Sequence, residues 1–286
     1  MQSKESVFNR KKTIQLKGEI LDLRTPRVLG IINITPDSFF DGSKYQHEKA
    51  ILQRAEAILD EGADIIDIGG YSSRPGADDI SISEEIRRVV PAIGLILKKF
   101  PDAKISIDTF RAEVAEKAIE AGACMINDIS GGELDPAMFE TVCKLNVPYI
   151  LMHMKGNPQN MIHLNQYEDI LSEILTYFEK KVYILKESGL KDIIIDPGFG
   201  FAKDIQQNFF LLKHLDYFQI LGLPLLAGIS RKSMIYKTLN IKAEDSLNGT
   251  TVLNTVALQN QASFLRVHDV KQAVEAIKLL HQKKSE

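Results

Sequence analysis

The sequence predicts a (β/α)8 barrel, in which eight parallel strands alternate with helices around a closed ring. Eight short apolar runs occur along the 286 residues, helical patterns separate them, and no linker or low-complexity tract divides the chain. Near-continuous apolar runs are typical of parallel strands that are buried on both faces. Strands and helices that alternate over ~250 residues fit one such barrel. Counting strands does not prove closure, so an open doubly wound sheet is the alternative fold.

Each element follows from a local pattern. The predicted strands cover residues 28–32, 65–68, 105–107, 125–126, 149–152, 193–195, 225–227 and 264–267. Gly62 and Gly122 follow two helical stripes, where glycine ends a helix in the left-handed conformation. Ser81 and Glu84 have the spacing of a capping box at the start of another helix. Residues 13–23 alternate as a hairpin does, and we expect them to lie as a plug under the barrel floor.

The composition limits the classes of function. The chain is 44% hydrophobic and 26% charged, with a net charge of -3 and a pI near 6.1. It therefore lacks the basic character of a nucleic-acid-binding domain, and no apolar run reaches the ~20 residues that span a bilayer. Cys124 and Cys143 lie outside a CxxC spacing, as expected of a reduced protein. We expect a cytoplasmic protein with one domain over residues 1–286, of which 1–12 form a flexible terminus.

Polar residues mark the carboxyl ends of the predicted strands, where barrels of this class carry their chemistry. The ends hold Asn33, Gly69-Gly70, Asp108, Asn127-Asp128, Met152-His153, Asp196-Pro197-Gly198, Gly228-Ile229-Ser230 and His268. One Asp or Asn alone would as readily cap the next helix. Several Asp and Asn side chains that converge on one mouth of the barrel favour a small, flat ligand held by hydrogen bonds. The sequence shows neither a serine or cysteine nucleophile nor a cage of histidines and carboxylates for a metal.

The last two strand ends also carry cations. Ser230-Arg231-Lys232-Ser233 follows the seventh strand, and Arg266 and His268 bracket the end of the eighth. Barrels of this class bind phosphate at that corner. Arg231 or Lys232 alone is more typical of a solvated surface cation, whereas Arg266 interrupts an apolar strand. This pattern favours an anion site at Arg266 and His268.

Two loops have compositions suited to movement or to tight turns, and an ordinary surface loop is the alternative for each. They are residues 35–42 and 69–76, in which Phe39, Phe40 and Tyr71 are either lids or exposed aromatics. The other histidines lack metal-ligand spacing and are expected to be structural or at the surface; they include His153, His163, His214 and His281.

Taken together, these motifs resemble the dihydropteroate synthase family from about Arg27 to Ile277. The matching segments are 30–39, 107–109, 126–129, 151–154, 196–201, 230–233 and 266–270. No single motif is specific, but their order and their placement on successive strands make the set specific. The second loop departs from the pattern. The family often has Gly-Gly-Glu-Ser-Thr-Arg-Pro-Gly there, whereas Tyr71 and Ser73 replace the glutamate and the threonine in this chain.

The resemblance implies an activity. It implies a transferase of folate biosynthesis that condenses 6-hydroxymethyl-7,8-dihydropterin diphosphate with p-aminobenzoate. The products would be 7,8-dihydropteroate and diphosphate, formed by an SN1-like path, and sulfonamides would compete with p-aminobenzoate. It also implies Mg2+ as the cofactor and a homodimer formed through the outer helices. No nucleic-acid or membrane partner is expected.

The resemblance also implies roles for individual residues. The pterin would be held by Asp108, Asn127, Asp196 and Lys232, with Met152, Phe201 and Gly228 along its walls. Asn33 would bind Mg2+ and the diphosphate, with Arg266 and His268 on the phosphates. The p-aminobenzoate site would be completed by Asp41, Ser73, Arg74 and Pro75, with Lys232 and Ser233 beside it. The residues implied in catalysis are Lys232, Asp108, Asn33, Arg266, His268 and Asp41.

Two alternatives remain at this point. A methyltetrahydrofolate-binding domain of the corrinoid methyltransferases has a related barrel and would explain the Asp and Asn residues. It accounts poorly for the Asn33 loop, Lys232 and the pair of Arg266 and His268. A noncatalytic pterin-binding or scaffolding protein is the other alternative, and a turnover assay distinguishes it.

Overall fold

Eight parallel strands form a ring at the centre of the computed structural model, which describes residues 10–34, 44–72 and 79–282. A two-stranded hairpin precedes the ring. The strands are β1 Thr13–Leu16, β2 Glu19–Asp22, β3 Arg27–Asn33, β4 Ile65–Gly69, β5 Ile105–Asp108, β6 Met125–Asp128, β7 Tyr149–Met152, β8 Ile193–Asp196, β9 Leu226–Ala227 and β10 Phe264–Val267.

The ring is closed between its two end strands. Hydrogen bonding orders the strands β8, β7, β6, β5, β4, β3, β10 and β9. A single bridge pairs Ile195 with Leu225, and the Ile195 amide donates to the Pro224 carbonyl at 3.0 Å. The eight predicted strands and the barrel are therefore confirmed, and the open doubly wound sheet is excluded.

The register of the strands sets their polar ends level with one another. Asn33 pairs with Gly69, Gly69 with Asp108, and Asp108 with Asn127. Farther round the ring, Met152 pairs with Asp196. Because paired residues stand at the same height, the predicted strand-end residues of six neighbouring strands line one mouth of the barrel.

Helices cover the outside of the ring and bury their apolar stripes against it. They are α1 Lys44–Asp60, α2 Ile82–Lys99, α3 Ala112–Glu120, α4 Met138–Leu145, α5 Ile170–Glu187, α6 Ile205–Lys213, α7 Ser233–Leu239, α8 Leu247–Gln259 and α9 Val270–Gln282. Gly62 (φ +94°) and Gly122 (φ +108°) follow α1 and α3 in the predicted left-handed conformation. Ser81 caps α2, accepting from the Glu84 amide at 3.2 Å. The Glu84 carboxylate pairs with Arg87 and Arg88 rather than completing the predicted capping box.

The N-terminal hairpin plugs the barrel floor, as predicted. Lys17 and Gly18 both have positive φ (51° and 81°), as a two-residue hairpin turn requires. Ile14 and Leu16 are buried in a cluster of side chains that includes Leu29 and Phe264 from the lower ends of the ring strands. The hairpin thus closes the end of the ring opposite to the polar mouth.

Residues close to the terminus also contact the barrel. Within the segment 1–12, residues 1–9 lie outside the described residues. Arg10 donates to the Gln261 carbonyl at 2.7 Å, and Lys11 pairs with Asp192 at 2.6 Å. Cys124 and Cys143 are free thiols. In the described part of the chain, no helix combines the length and the apolar character needed to cross a membrane.

Candidate active site

Arg266 joins three of the ring strands at the bottom of the mouth. From β10, its Nε donates to Asp67 Oδ2 at 2.6 Å, and a terminal nitrogen lies 2.5 Å from Asp108 Oδ2. Asp67 Oδ2 also accepts from Asn127 Nδ2 at 3.1 Å. The structure therefore brings together the predicted site residues Arg266, Asp108 and Asn127 around a fourth residue.

That fourth residue, Asp67, was missing from the predicted site. Its side chain is fully buried in β4, and its Oδ1 has no hydrogen-bond partner among the described residues. A buried polar atom without a partner is costly, so Asp67 Oδ1 is an acceptor that still lacks a donor. The signal in the sequence was a carboxylate inside the apolar run 65–68, the same kind of interruption that singled out Arg266.

The charges in this cluster shift one another's pKa values. Burial raises the pKa of Asp108 to about 7, with Asp67 adding to the rise and Arg266 opposing it. Burial alone would lower the pKa of Arg266, but Asp108 and Asp67 outweigh it and raise that pKa above its usual value. The guanidinium is therefore a permanent cation, whereas Asp108 is poised to gain or lose a proton near neutral pH.

A second group of predicted residues converges over Gly228, where there is space for a methyl group. A Cβ added at Gly228 would stand 3.7 Å from Asp196 Oδ2, 3.8 Å from Lys232 Nζ and 3.9 Å from Arg266 Cβ. The Lys232 ammonium donates to the Phe199 carbonyl and lies 4.6 Å from the centre of the Phe201 ring. Burial lowers the pKa of Lys232 to about 8 against the opposing effect of Asp196. The space is therefore bounded by a carboxylate, an amine that is mostly protonated at pH 7, and the Cβ of Arg266.

An apolar wall flanks this space. Met152 and Phe201 belong to one buried cluster with Ile129, Met154, Met161 and Ala202, against which Phe110 packs. Methionine and aromatic side chains provide polarisable surfaces that suit the face of a flat ring. The mouth thus offers hydrogen-bonding groups at the edge of a flat ligand and apolar groups at its face.

Lys203 supports the turn that carries Asp196 and Phe201, and the sequence interpretation missed it. Its buried Nζ donates to the carbonyls of Phe201 (2.8 Å) and Gly198 (3.0 Å) and lies 3.1 Å from His153 Nδ1. Burial lowers the pKa of Lys203 and that of His153 well below their usual values. His153 is thus a structural residue, as expected, and the signal for Lys203 was only its position beside the turn.

The predicted anion corner contains one cation fewer than expected. His268 Nδ1 lies 3.0 Å from Ser230 Oγ, and Arg54 donates to the His268 carbonyl at 2.6 Å. Burial, followed by the charge of Arg266, lowers the pKa of His268 to about 4. The free protein therefore has a neutral imidazole at pH 7, which corrects the expectation of a second cation beside Arg266. Arg231 pairs with Asp269 at 2.6 Å, as suits a structural residue.

The remaining predicted residues divide into placed and undescribed ones. Asn33 is level with Asp108 on the other side of Gly69, with its Oδ1 3.7 Å from the position of a Gly69 Cβ. Ser233 begins α7 directly after Lys232. Tyr71 is only 9% exposed, which contradicts the exposed-aromatic alternative. The predictions that lie outside the described residues are Asp41, Ser73, Arg74 and Pro75, together with Phe39 and Phe40.

The expected Mg2+ site depends on one protein donor, the side-chain oxygen of Asn33. Within residues 10–34, 44–72 and 79–282, no group of three or more His, Cys, Asp or Glu side chains is arranged to hold a metal. Mg2+ commonly keeps several waters and is held by one or two protein oxygens together with substrate phosphates. The amide oxygen of Asn33 at the rim fits such a metal, which would arrive with a phosphorylated ligand, better than it fits a protein-built cage.

Comparison with known proteins agrees with this geometry. Residues 29–268 match a family model described as pterin binding enzyme. The dihydropteroate synthase of Escherichia coli K12 is 39% identical over 266 residues, which cover 92% of this chain and 94% of that protein. The Yersinia pestis dihydropteroate synthase in a sulfonamide drug complex has a TM-score of 0.89 at 39% identity, with 96% and 100% of the two chains covered. The Xanthomonas albilineans enzyme in complex with 7,8-dihydropteroate has a TM-score of 0.86 at 35% identity, with 96% and 99% covered.

Proposed function

This chain belongs to the dihydropteroate synthase family of pterin-binding enzymes, and from that premise we propose its reaction. It joins 6-hydroxymethyl-7,8-dihydropterin diphosphate to p-aminobenzoate in folate biosynthesis and releases 7,8-dihydropteroate and diphosphate. One observation carries the proposal. Asp196, Lys232 and Arg266 converge over Gly228, so that one mouth of the barrel offers a carboxylate for a heterocycle beside cations for a phosphate.

The pterin binds in the space over Gly228. Asp196 accepts hydrogen bonds from the amino-pyrimidine edge, since a carboxylate can form two charge-assisted bonds with such an edge. Lys232 and Asn127 donate to ring acceptors, and Asp108 lies at the same level. The ring face lies on Met152 and Phe201, whose cluster is buried in the free protein.

The diphosphate lies toward Asn33, Arg266 and His268. Because His268 is neutral at pH 7, it contributes a hydrogen bond, and the fixed positive charge comes from Arg266. Asn33 offers its amide oxygen to Mg2+. When bound, Mg2+ would neutralise charge on the leaving diphosphate.

The bond between the exocyclic methylene carbon and the diphosphate oxygen breaks, and its electron pair leaves with the diphosphate. Hydrogen-bond donors on Arg266 and His268 stabilise that developing charge. The electron-rich dihydropterin ring delocalises the positive charge left on the carbon. The neutral arylamine nitrogen then forms the new carbon–nitrogen bond, and the proton it loses passes to the released diphosphate. The apolar wall keeps water from the cation. In this proposal the p-aminobenzoate site is completed by Asp41, Ser73, Arg74, Pro75 and Ser233.

We further propose a cytoplasmic homodimer. Phe210, Leu239 and Val252 are 44%, 51% and 52% exposed, and they stand on α6, α7 and α8, which contact one another. Apolar patches of this kind commonly mark protein interfaces. The free thiols of Cys124 and Cys143 suit a reducing compartment.

The test is a turnover assay with both substrates and Mg2+, in which dihydropteroate is detected by mass spectrometry and a metal-free sample is the control. We expect metal-dependent product at many turnovers per enzyme, and competition between a sulfonamide and p-aminobenzoate. Pterin binding without product would favour the methyltransferase-type or the noncatalytic alternative. Absence of both binding and product would refute the site.

A further inference from the structure

A hydrogen bond links two loops that are not neighbours in the barrel. Gln159, in the loop after β7, donates from Nε2 to the hydroxyl oxygen of Tyr71, which follows β4, at 2.8 Å. Strands β5 and β6 lie between β4 and β7 in the ring. The link therefore passes over two strand ends that carry Asp108 and Asn127, the proposed pterin-binding residues.

Tyr71 is a rigid anchor for this link. Its ring meets Phe110 edge-on, with centroids 5.0 Å apart, and the Arg111 guanidinium lies 5.3 Å from its centre. Arg111 in turn pairs with Glu85 at 2.9 Å, and Glu85 is fully buried on α2. Tyr71 also stands where the family often has a glutamate, so the anchor is a feature of this chain.

The loop that receives the link carries part of the apolar wall. We call residues 153–164 the β7 loop. Asn157 Oδ1 accepts from the amides of Gln159 (3.0 Å) and Asn160 (3.1 Å), so the turn that presents Gln159 is preformed. Met154 and Met161, on either side of that turn, belong to the same cluster as Met152 and Phe201. Moving the turn would therefore move the proposed pterin wall.

On its outer side the β7 loop is held by Lys155, whose Nζ lies 2.9 Å from Glu173 Oε2 on α5, and packing there is incomplete. Its outer side faces a cavity of about 880 Å³, to which the loop contributes Lys155, Gly156 and Asn157 and α5 contributes Tyr177 and Lys180. A loop with space behind it can swing outward at little steric cost. Hydrogen bonds that hold it inward, such as the bond from Gln159 to Tyr71, then have a large effect on its position.

We propose that the Tyr71–Gln159 hydrogen bond fastens the β7 loop across the mouth, and that Tyr71 and Gln159 are positioning residues that slow the escape of bound pterin. The identity of the ligand as a pterin rests on the proposed function, whereas the hydrogen bond that fastens the loop is present in the free protein. Two separate readouts therefore test it.

The variants are Tyr71→Phe, Gln159→Leu and the double variant. Tyr217→Phe is the matched control, because it removes a hydroxyl from a tyrosine that is 47% exposed in the segment Leu215–Leu221, outside the mouth. The first readout is hydrogen–deuterium exchange of the backbone amides of residues 155–164 in the free protein. We expect faster exchange there in both single variants, no further increase in the double variant, and no change in the control. Melting temperatures should stay close to the wild-type value.

The second readout is the release of 6-hydroxymethyl-7,8-dihydropterin diphosphate, measured by stopped-flow displacement. Loss of one neutral hydrogen bond, about 0.5–1.5 kcal/mol, predicts roughly 2- to 12-fold faster release with little change in the association rate. Unchanged exchange in the single variants would overturn the fastening. Faster exchange with unchanged release would overturn the positioning role. A wild-type protein that binds no pterin would refute the proposed function, while the exchange readout would still decide the fastening.

Discussion

Asp67 and Arg266 show how the function of single residues depends on what surrounds them. Both interrupt apolar strands, and both are held in one cluster with Asp108 and Asn127. Arg266 was recognised in the sequence as an unusual strand residue. Asp67 was not, because one carboxylate in a buried run has no visible partner until the ring closes and brings β10 beside β3 and near β4.

Asp67→Asn tests that cluster. The substitution keeps the shape of the side chain but removes the negative charge of the carboxylate, which accepts hydrogen bonds from Arg266 and Asn127. A hydrogen bond to a charged group contributes about 1.5–3 kcal/mol, so we expect pterin affinity and kcat/KM to fall roughly 10- to 100-fold. Asp64→Asn is the control, since Asp64 pairs with Arg27 at 3.0 Å near the start of β3, away from the mouth. An Asp67→Asn enzyme with unchanged affinity would contradict the assigned role.

Lys232 predicts an alkaline limit to activity. Its pKa is lowered to about 8, below the ordinary lysine value, so it is charged below that pH and neutral above it. Pterin affinity and kcat/KM should therefore decline as the pH rises through about 8, because the amine loses the positive charge that faces the pterin. Lys232→Arg should retain some activity and move that decline to higher pH, because arginine stays protonated. A pH profile of kcat/KM for both proteins measures this, and identical profiles would argue against Lys232 as the titrating group.

At the scale of elements, the register of the strands places the site residues side by side, and the turns after the strands fix their positions. Apolar runs and turn residues were enough to predict every ring strand, as the run at 264–267 and the observed β10 illustrate. They could not predict that Asn33, Gly69, Asp108 and Asn127 would stand level, because pairing depends on contacts distant in sequence. They also gave no sign that Lys203 holds the turn after β8, since its partners are mainly backbone carbonyls.

Gly198→Ala tests the turn after β8. Gly198 has φ +74°, and an added Cβ would stand 2.1 Å from the His153 carbonyl oxygen. We expect the left-handed conformation to cost an alanine about 1–2 kcal/mol, with a further loss from the clash and a large drop in pterin affinity. Gly189→Ala separates the two effects, because Gly189 has φ +88° with open space around it. Urea unfolding and pterin titration of both variants provide the measurement. If Gly198→Ala and Gly189→Ala lose equal stability, the close contact with the His153 carbonyl does not destabilise the protein.

At the scale of the whole molecule, the residues that stabilise the barrel and the residues of the proposed active site lie at opposite ends of the ring. The hairpin β1–β2 seals one end of the ring with buried aliphatic side chains, while the polar residues gather at the other. The sequence predicted both ends because alternation in residues 13–23 and polar strand ends are local signals. Association between molecules depends on surface shape instead, so the homodimer remains a prediction.

Val252→Glu tests the homodimer. The substitution places a charge on the exposed face of α8, where Val252 is 52% exposed. If this face is the interface, burial of an unpaired carboxylate should shift the protein from dimer to monomer in sedimentation equilibrium, with the melting temperature of the monomer still measurable. Leu279→Glu is the control, because Leu279 is 73% exposed on α9. A wild-type protein that sediments only as a monomer would refute the proposal.

The joint between β8 and β9 gives the barrel a weak point beside its ligand. β9 has two residues, and one bridge connects Ile195 to Leu225 there, whereas β3 and β4 are paired along five positions. Asp196 stands at the end of β8, and Lys232 follows β9 a few residues later. A molecule held by both side chains spans the joint and resists its opening. Heat tolerance and substrate occupancy would therefore be linked, so that a cell short of pterin would also hold a less durable enzyme.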